Sequence, residues 1–431
     1  MKLFTNLEAQ KTNVRTEIMA GLTTFFAIAY IIIVNSETLA ITGMPRTAAI
    51  FAIVFASAVG CFIMAFYADA PIILVPGLGE CALFVFTICG KDAMGLSLGQ
   101  GLAAIFISGI LFSLIAFTKL AQILTEAIPE DLKTIIIVGI GLFLTFVGLK
   151  NAGIVVANPA TMVGLGDFGS VKVIVTLINL AIALFLFFRN VPGGFLISLA
   201  LGTVVGMIFG IVDISSISFE MPSISEYSGV FFNMDFSGLT NPTFWVAVFS
   251  LVLLVTFENL GLMYGQTTNM IGAPEKFKNS FRGGAISVIT CGIFGASPTI
   301  DAIETGAGIA AGGRTGLTAL TTGILFLLAL LFTPIIMIIP SEAIAPILII
   351  IGFLMVSNIS RVDIGNFEIG FPCFLILSAI PLTFSIVDGI ALGFIAYPLV
   401  MIFKGKAKEV KVPMYVVSLI FVLSFVLKVI A

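Results

Sequence analysis

The sequence predicts an all-α polytopic membrane protein of about fourteen transmembrane spans, arranged as two inverted repeats of seven. Three observations carry this. Of 431 residues, 59% are hydrophobic and 10% charged, with a mean hydropathy of +1.20. A soluble core of this size could not hide so much apolar surface, so the excess must face lipid. Apolar stretches such as 18–34, 98–117 and 316–339 recur along the chain, each long enough to cross or nearly cross a hydrocarbon layer of roughly 30 Å. The basic residues, finally, fall in alternate loops.

Gly, Pro and charge divide the apolar pattern into spans at 17–35, 47–68, 71–89, 98–117, 132–149, 171–188 and 194–211. A second set follows at 244–265, 281–296, 298–313, 315–339, 343–358, 368–385 and 387–403. A further apolar segment at 413–430 either crosses or lies along the inner surface. The first run lacks a small-residue cleavage site and is read as a retained helix, not a signal peptide. The longest polar interruption, 213–241, carries Asp213, Glu220, Glu226 and Asp235 without a Lys or Arg, and separates the two sets.

Lys and Arg collect on the cytoplasmic side of loops. With the N-terminus inside, the inner loops and tails hold Lys2, Lys11, Arg15, Lys119, Lys133, Arg189, Lys276, Lys278, Arg282, Arg314, Arg361, Lys404, Lys406, Lys408 and Lys411. The outer ones hold Arg46, Lys91, Lys150 and Lys172. With Lys428 in the last segment these are all 20 basic residues, so the charges support both the span count and an inner (plasma) membrane orientation. Seven spans per half make the second half enter from the opposite side, the inverted-repeat arrangement common in secondary transporters.

Composition also excludes. A net charge of −3 gives no reason to expect nucleic acid. Cys61, Cys81, Cys89, Cys291 and Cys373 lie in apolar runs without metal-type spacing, and no cofactor is indicated. Histidine is absent, which removes the usual proton relay and commonest metal ligand and leaves proton chemistry to carboxylates. The run Ala310-Ala-Gly-Gly-Arg314-Thr-Gly lacks the Lys-Ser/Thr ending of a phosphate loop and reads as a cytoplasmic turn with Arg314 as anchor. Without His, a cysteine pair or an aqueous domain, a membrane-embedded enzyme is not expected.

Two spans are broken at matching places. The third reads Pro71-Ile-Ile-Leu-Val-Pro76-Gly77-Leu-Gly79-Glu80, and the tenth is preceded by Gly295-Ala-Ser and reads Pro298-Thr-Ile-Asp301-Ala-Ile-Glu304-Thr-Gly306. Short, Pro- and Gly-interrupted segments in corresponding positions of two halves point to a binding site at the bilayer midplane. Glu80, Glu258, Asp301 and Glu304 lie inside apolar spans, where an ionised side chain costs about 2.5–3.5 kcal/mol or more unless it faces a cavity or partner. No Lys or Arg shares their spans, so a cation, a proton or a substrate N–H is expected to complete them. Asp301 and Glu304 stand three apart on one helical face. Alternatively, Asp301 and Glu80 serve helix N-termini. Glu258 begins a stripe continued by Gly261 and Gly265. Phe84 and Phe257 neighbour these acids and are candidate stacking rings, packing or lipid contact being the alternative. A passive channel with an acid ring remains the rival to a carrier, which the broken spans and inverted halves favour.

Longer motifs carry a resemblance. Arg15-Thr-Glu17-Ile-Met-Ala-Gly21-Leu-Thr-Thr24-Phe, Ala29-Tyr30-Ile-Ile-Ile-Val-Asn35, Gly148-Leu-Lys150-Asn151-Ala-Gly153 through Asn158-Pro159-Ala-Thr161, and Glu304 followed by Ala310 to Thr318 resemble the nucleobase:cation symporter family. That family is related to nucleobase/ascorbate transporters, and the likeness is to its azaguanine-type branch of hypoxanthine, guanine and adenine permeases, over residues 15 to about 403. It implies a core domain (1–117 and 244–339, spans 1–4 and 8–11), a gate domain (118–212 and 340–403, spans 5–7 and 12–14), an extracytoplasmic connection at 213–243, a basic linker and apolar tail at 404–431, and usually a homodimer. It implies that spans 3 and 10 are half strand and half helix, with substrate between them held by carboxylates on spans 8 and 10, where Glu258 and Glu304 fall, and by main-chain groups. The chain departs from that branch in three places: span 3 reads Pro76-Gly-Leu-Gly79-Glu80-Cys81 where the branch reads Pro-Gly-Met-Gly-Leu-Asn, so that an Asn is lost and an acid gained; span 8 keeps one acid, Glu258, where the branch has two; and Asp301 is likewise unusual.

The expected mechanism follows. A carboxylate can accept two parallel N–H groups from a base edge, a task for Glu304 or Glu258, with Asn259, Phe84 and free backbone near Gly79, Glu80 and Ile303 completing the purine site. Glu258, Glu304, Asp301 or Thr305 would couple uptake to H+. Na+, held by oxygens of the acids with Thr299, Thr305 and Asn259, is the alternative.

Overall fold

The computed structural model describes residues 7, 10–91, 93–118, 120, 127–212 and 224–430, with side chains to 426. Lys2, Lys119, Asp213, Glu220 and the side chain of Lys428 lie outside these, as do the start of the division beginning at 1, the start of the one beginning at 213 and the last residue of the one ending at 431. Fourteen segments follow the predicted spans. α1 (Val14–Ala40) and α2 (Arg46–Ala68) precede strand β1 (Leu74–Pro76) and short helix α3 (Leu78–Ile88). α4 (Leu98–Phe117) and α5 (Glu130–Asn151) lead to a hairpin of β2 (Val155–Asn158) and β3 (Met162–Leu165), then α6 (Val171–Phe188) and α7 (Gly194–Ile208). The second half has α8 (Pro242–Met270), α9 (Glu275–Phe294), β4 (Thr299–Asp301), α10 (Thr305–Ala310), α11 (Gly316–Ile338), α12 (Ser341–Arg361), α13 (Phe367–Thr383) and α14 (Ile386–Phe403). α15 (Val412–Ile430) follows. Among the described residues, nine of these helices are long and apolar enough to cross a membrane, with shorter apolar helices beside them.

The ends are where side chains say. Asn241 accepts the Thr243 N–H at 2.9 Å at the start of α8, with Pro242 in the first turn, where its missing N–H costs nothing. Ser97 and Gln100 form a reciprocal capping box on α4. α9 begins six residues before its predicted span, because Pro274 and Glu275 open a regular helix in the loop and carry Lys276, Lys278 and Arg282 within it. The β2–β3 hairpin, in an expected outer loop, is exposed.

Packing sorts the helices into two groups. α1 and α2 pack on α11, and α4 on α9; α5 packs on α12 and α13, α6 on α7 and α12, and α13 on α14. Small residues let backbones meet, as membrane helices require. A Cβ at Gly109 of α4 would lie 2.5 Å from the Ile289 backbone nitrogen on α9, and one at Gly352 of α12 would lie 2.1 Å from Thr145 Oγ1 and 2.5 Å from the Gly141 carbonyl on α5. At the predicted cytoplasmic end, the wholly buried Glu17 of α1 caps α11, accepting from Arg314 N at 2.9 Å, Thr315 N at 3.2 Å and Thr318 Oγ1 at 2.6 Å. Lys276 donates to the Asp69 carbonyl and, at 2.9 Å, to that of Arg314.

Candidate functional site

Pro76 and Pro298 bracket the place where the two broken spans meet. β1 and β4 pair antiparallel, Leu74 opposite Asp301, Val75 opposite Ile300 and Pro76 opposite Thr299. The ladder runs one bond further at each end, Gly77 N–H to the Pro298 carbonyl and Ala302 N–H to that of Ile73, both at 3.1 Å. All six strand residues are buried, as non-helical backbone must be in a membrane interior. The pairing is centred on Val75 and Ile300, so a local two-fold relates Pro76 to Asp301 and Glu80 to Thr305.

Each strand end is pinned by an asparagine two segments upstream. Asn35 of α1 donates from Nδ2 to the Pro76 carbonyl at 2.7 Å, and Asn259 of α8 accepts the Asp301 N–H on Oδ1 at 2.9 Å. The asymmetry is chemical: proline has no N–H to give, so the first anchor must use the carbonyl. Asn259 also donates to the Val255 carbonyl at 2.8 Å, and Gln266 donates to that of Ala302 at 2.9 Å.

Around this crossing lie the intramembrane acids. Asp301 is fully buried; Thr305 Oγ1 donates to its Oδ1 at 3.2 Å and accepts the Ile73 N–H at 3.2 Å, while Oδ2 has no partner among the described residues. Glu304 stands at the start of α10, half-buried, and accepts on Oε1 from the Tyr30 phenol at 2.5 Å. Ile303, beside it, is 63% exposed. Glu80 and Glu258 face each other across the α3–α8 contact. Both are buried, and neither oxygen of Glu80 nor Oε2 of Glu258 has a donor among the described residues. Glu80 curls back over Gly77, where an added Cβ would lie 1.9 Å from Oε2. Gly77 therefore holds the space this carboxyl occupies.

On α8, a Cβ added to Gly261 or Gly265 would meet nothing within 4 Å, so the stripe below Glu258 looks into open space. Gly79 lies against α5, a Cβ there falling 3.0 Å from Ile140 Cγ2. The predicted residues Glu258, Asn259, Asp301, Ile303, Glu304, Thr305, Glu80 and Gly79 thus gather around one crossing. The Phe84 ring instead lies fully buried against Gly101 of α4, and Phe257 points towards Lys133 of α5, whose ammonium stands 5.8 Å from its ring. Tyr30, Asn35 and Gln266 were given no role by sequence reasoning. Their signal was a phenol and an amide within a wholly apolar stretch of α1, the amide matched by Asn259 in the second half.

The chain matches the Permease family over residues 15–392. It is 43% identical over 386 residues to the nucleobase transporter PlAzg2 of Paenibacillus larvae subsp. larvae, covering 89% of this chain and 77% of that one. It is 36% identical to the guanine/hypoxanthine permease PbuO of Bacillus subtilis, covering 96% and 98%. In fold it is similar to the transmembrane domain of the bicarbonate transporter BicA of a cyanobacterium, with a TM-score of 0.64 at 18% identity over 88% of this chain and 97% of that one. With its membrane-spanning helices and this match over most of its length, the chain belongs to the Permease family, a family of membrane transporters.

Proposed function

We propose that this protein is a secondary active transporter that imports a purine nucleobase, of hypoxanthine, guanine or adenine type, in symport with a proton. The observation that carries the reading is Glu304: a carboxylate at the start of a broken helix, steadied by Tyr30 and flanked by the exposed residue Ile303. Its second oxygen and the main chain beside it offer the linear set of acceptors and donors that a base edge needs. The names of PlAzg2 and PbuO support the cargo class.

On this reading the chain divides into a core (1–117 and 244–339) and a gate (118–212 and 340–403), with 213–243 as connection and 404–431 as linker and tail, and the two packing groups support the division. Between them, on the predicted outer side, Phe86 of α3 meets Phe143 of α5 and Phe384 at 5.7 and 5.3 Å between centroids, while Phe143 and Phe384 stand 4.9 Å apart. This aromatic plug, with open space at Gly261 and Gly265 towards the inner side, supports an alternating-access carrier closed to the outside. The N-terminus is placed in the cytoplasm, the protein in the plasma (inner) membrane, and the working unit is a homodimer.

The test is uptake of labelled hypoxanthine, guanine, adenine, xanthine and uracil into proteoliposomes under an inward proton gradient, with a sodium gradient in parallel. Accumulation of a purine above equilibrium with the proton gradient alone is expected. Accumulation driven by sodium would reassign the ion to the Asp301, Thr305 and Asn259 oxygens, equilibration without a gradient response would make the protein a channel, and no purine uptake would refute the cargo.

A further inference from the structure

We infer that Glu80 and Glu258 hold one proton between them, and that Glu80 is the residue that carries it across the membrane. Two carboxyl groups that face each other in a buried place need a donor between them, since both ionised forms are acceptors alone. Among the described residues no other side chain supplies one. Glu80 has 0% of its surface exposed, both its oxygens lack any donor among the described residues, and so does Oε2 of Glu258, itself 8% exposed. No ion pair among the described residues reaches either group, and the chain has no histidine.

The groups around the pair are few. From α8 comes Glu258, from α3 the neighbouring Cys81, whose thiol donates to the Asn35 carbonyl of α1, and from α5 the apolar Ile140 beside Gly79. Beyond the strands lie Asp301, met by Thr305, and Glu304, met by Tyr30. Each of the latter acids has a donor on one oxygen, although Asp301 Oδ2 stays unpartnered, whereas Glu80 has none on either, which assigns the missing hydrogen to the Glu80–Glu258 contact.

The local two-fold sharpens this. The counterpart of Glu80 is Thr305, whose hydroxyl is fully engaged, donating to Asp301 and accepting from Ile73. One half of the crossing uses a neutral donor–acceptor to satisfy its acid, and the other places a second acid there, which can do the same work only while protonated. In the step we propose, a proton from the outer water binds the pair and sits on Glu80, donating to the ionised Glu258. Substrate N–H groups then compete for the Glu258 oxygen. When the site opens inward, the proton leaves Glu80 for cytoplasmic water, so one proton moves with each base.

The shared proton does not depend on the cargo assigned above; its coupling to uptake does. Two arms separate them. Infrared spectroscopy of the full-length protein at neutral pH, without substrate, should show the carbonyl stretch of a protonated carboxyl group. Glu80→Gln and Glu258→Gln should each remove the same band, the double variant removing no more than either alone. In Glu80→Gln the side-chain amide supplies the N–H that the proton supplied, so this variant is expected to fold, as checked by size exclusion in detergent, and Glu258→Gln reads the band independently. In proteoliposomes, one proton per base lets a gradient of one pH unit support about tenfold accumulation in the wild type. In Glu80→Gln, the ratio of accumulation with and without the gradient should fall to about one, whatever its basal rate. A band unchanged in both single variants, losses that add in the double variant, or tenfold accumulation by Glu80→Gln would overturn the inference. Absence of purine uptake by the wild type would sink the cargo while leaving the infrared arm to decide the proton.

Discussion

The phenol of Tyr30 on α1 donates to Glu304 Oε1 on α10 at 2.5 Å, joining the first span of one repeat to the broken span of the other. The bond fixes the carboxylate's rotamer and leaves Oε2 for a ligand. Tyr30→Phe removes the donor and keeps the ring, which packs against Phe195 of α7. A hydrogen bond to a charged group is worth about 1.5–3 kcal/mol, so the half-saturation concentration for the base should rise about ten- to hundredfold. Initial-rate uptake over a concentration series measures this; an unchanged value would free Glu304 from its dependence on Tyr30.

Glu304→Gln keeps the side chain's size and a Tyr30 partner but loses the charge that meets N–H groups. Uptake should be abolished, with expression, membrane insertion and oligomeric state as in the wild type. Wild-type uptake by this variant would remove Glu304 from the mechanism.

The two asparagine anchors should differ in kind. Asn259→Ala strands the buried Asp301 N–H, a loss of about 1–3 kcal/mol, and should lower the melting temperature in detergent along with transport. Asn35→Ala strands a carbonyl, and should cost less, because an orphaned buried carbonyl is less severe than an orphaned N–H. Melting curves recorded side by side distinguish them, and equal losses would contradict the ranking.

Gly352→Ala tests the α5–α12 contact. The new methyl would lie 2.1 Å from Thr145 Oγ1 and 2.5 Å from a backbone carbonyl, and backbone cannot turn aside as a side chain can. Overpacking of this kind costs about 1–3 kcal/mol. A lower melting temperature is expected, and a melting temperature equal to wild type would show that the helices separate freely there.

Spans and their order were legible because lipid imposes one rule on every segment: about 20 apolar residues with all backbone groups satisfied internally. The exceptions were legible too, since Pro76-Gly77 and Pro298 break that rule where acids follow. The α9 start was missed because Lys276 and Lys278 look like loop residues, yet helix and polar side chains coexist readily beyond the hydrocarbon. Phe84 shows the other limit. Its place in the sequence beside Glu80 says nothing about direction, and four residues along a helix it turns to Gly101. The acids were conspicuous by their cost in lipid; Tyr30 and Asn35 were not, because a single hydroxyl or amide in an apolar span is cheap and common.

The β1–β4 ladder is made of main-chain atoms alone. Such a joint is indifferent to which side chains it displays, so a lineage can rewrite the residues at the strand ends without loosening the frame that presents them. A carboxyl at position 80 opposite a hydroxyl at 305 is one such wording, and cargo can be respecified by exchanging a few letters around an unchanged hinge.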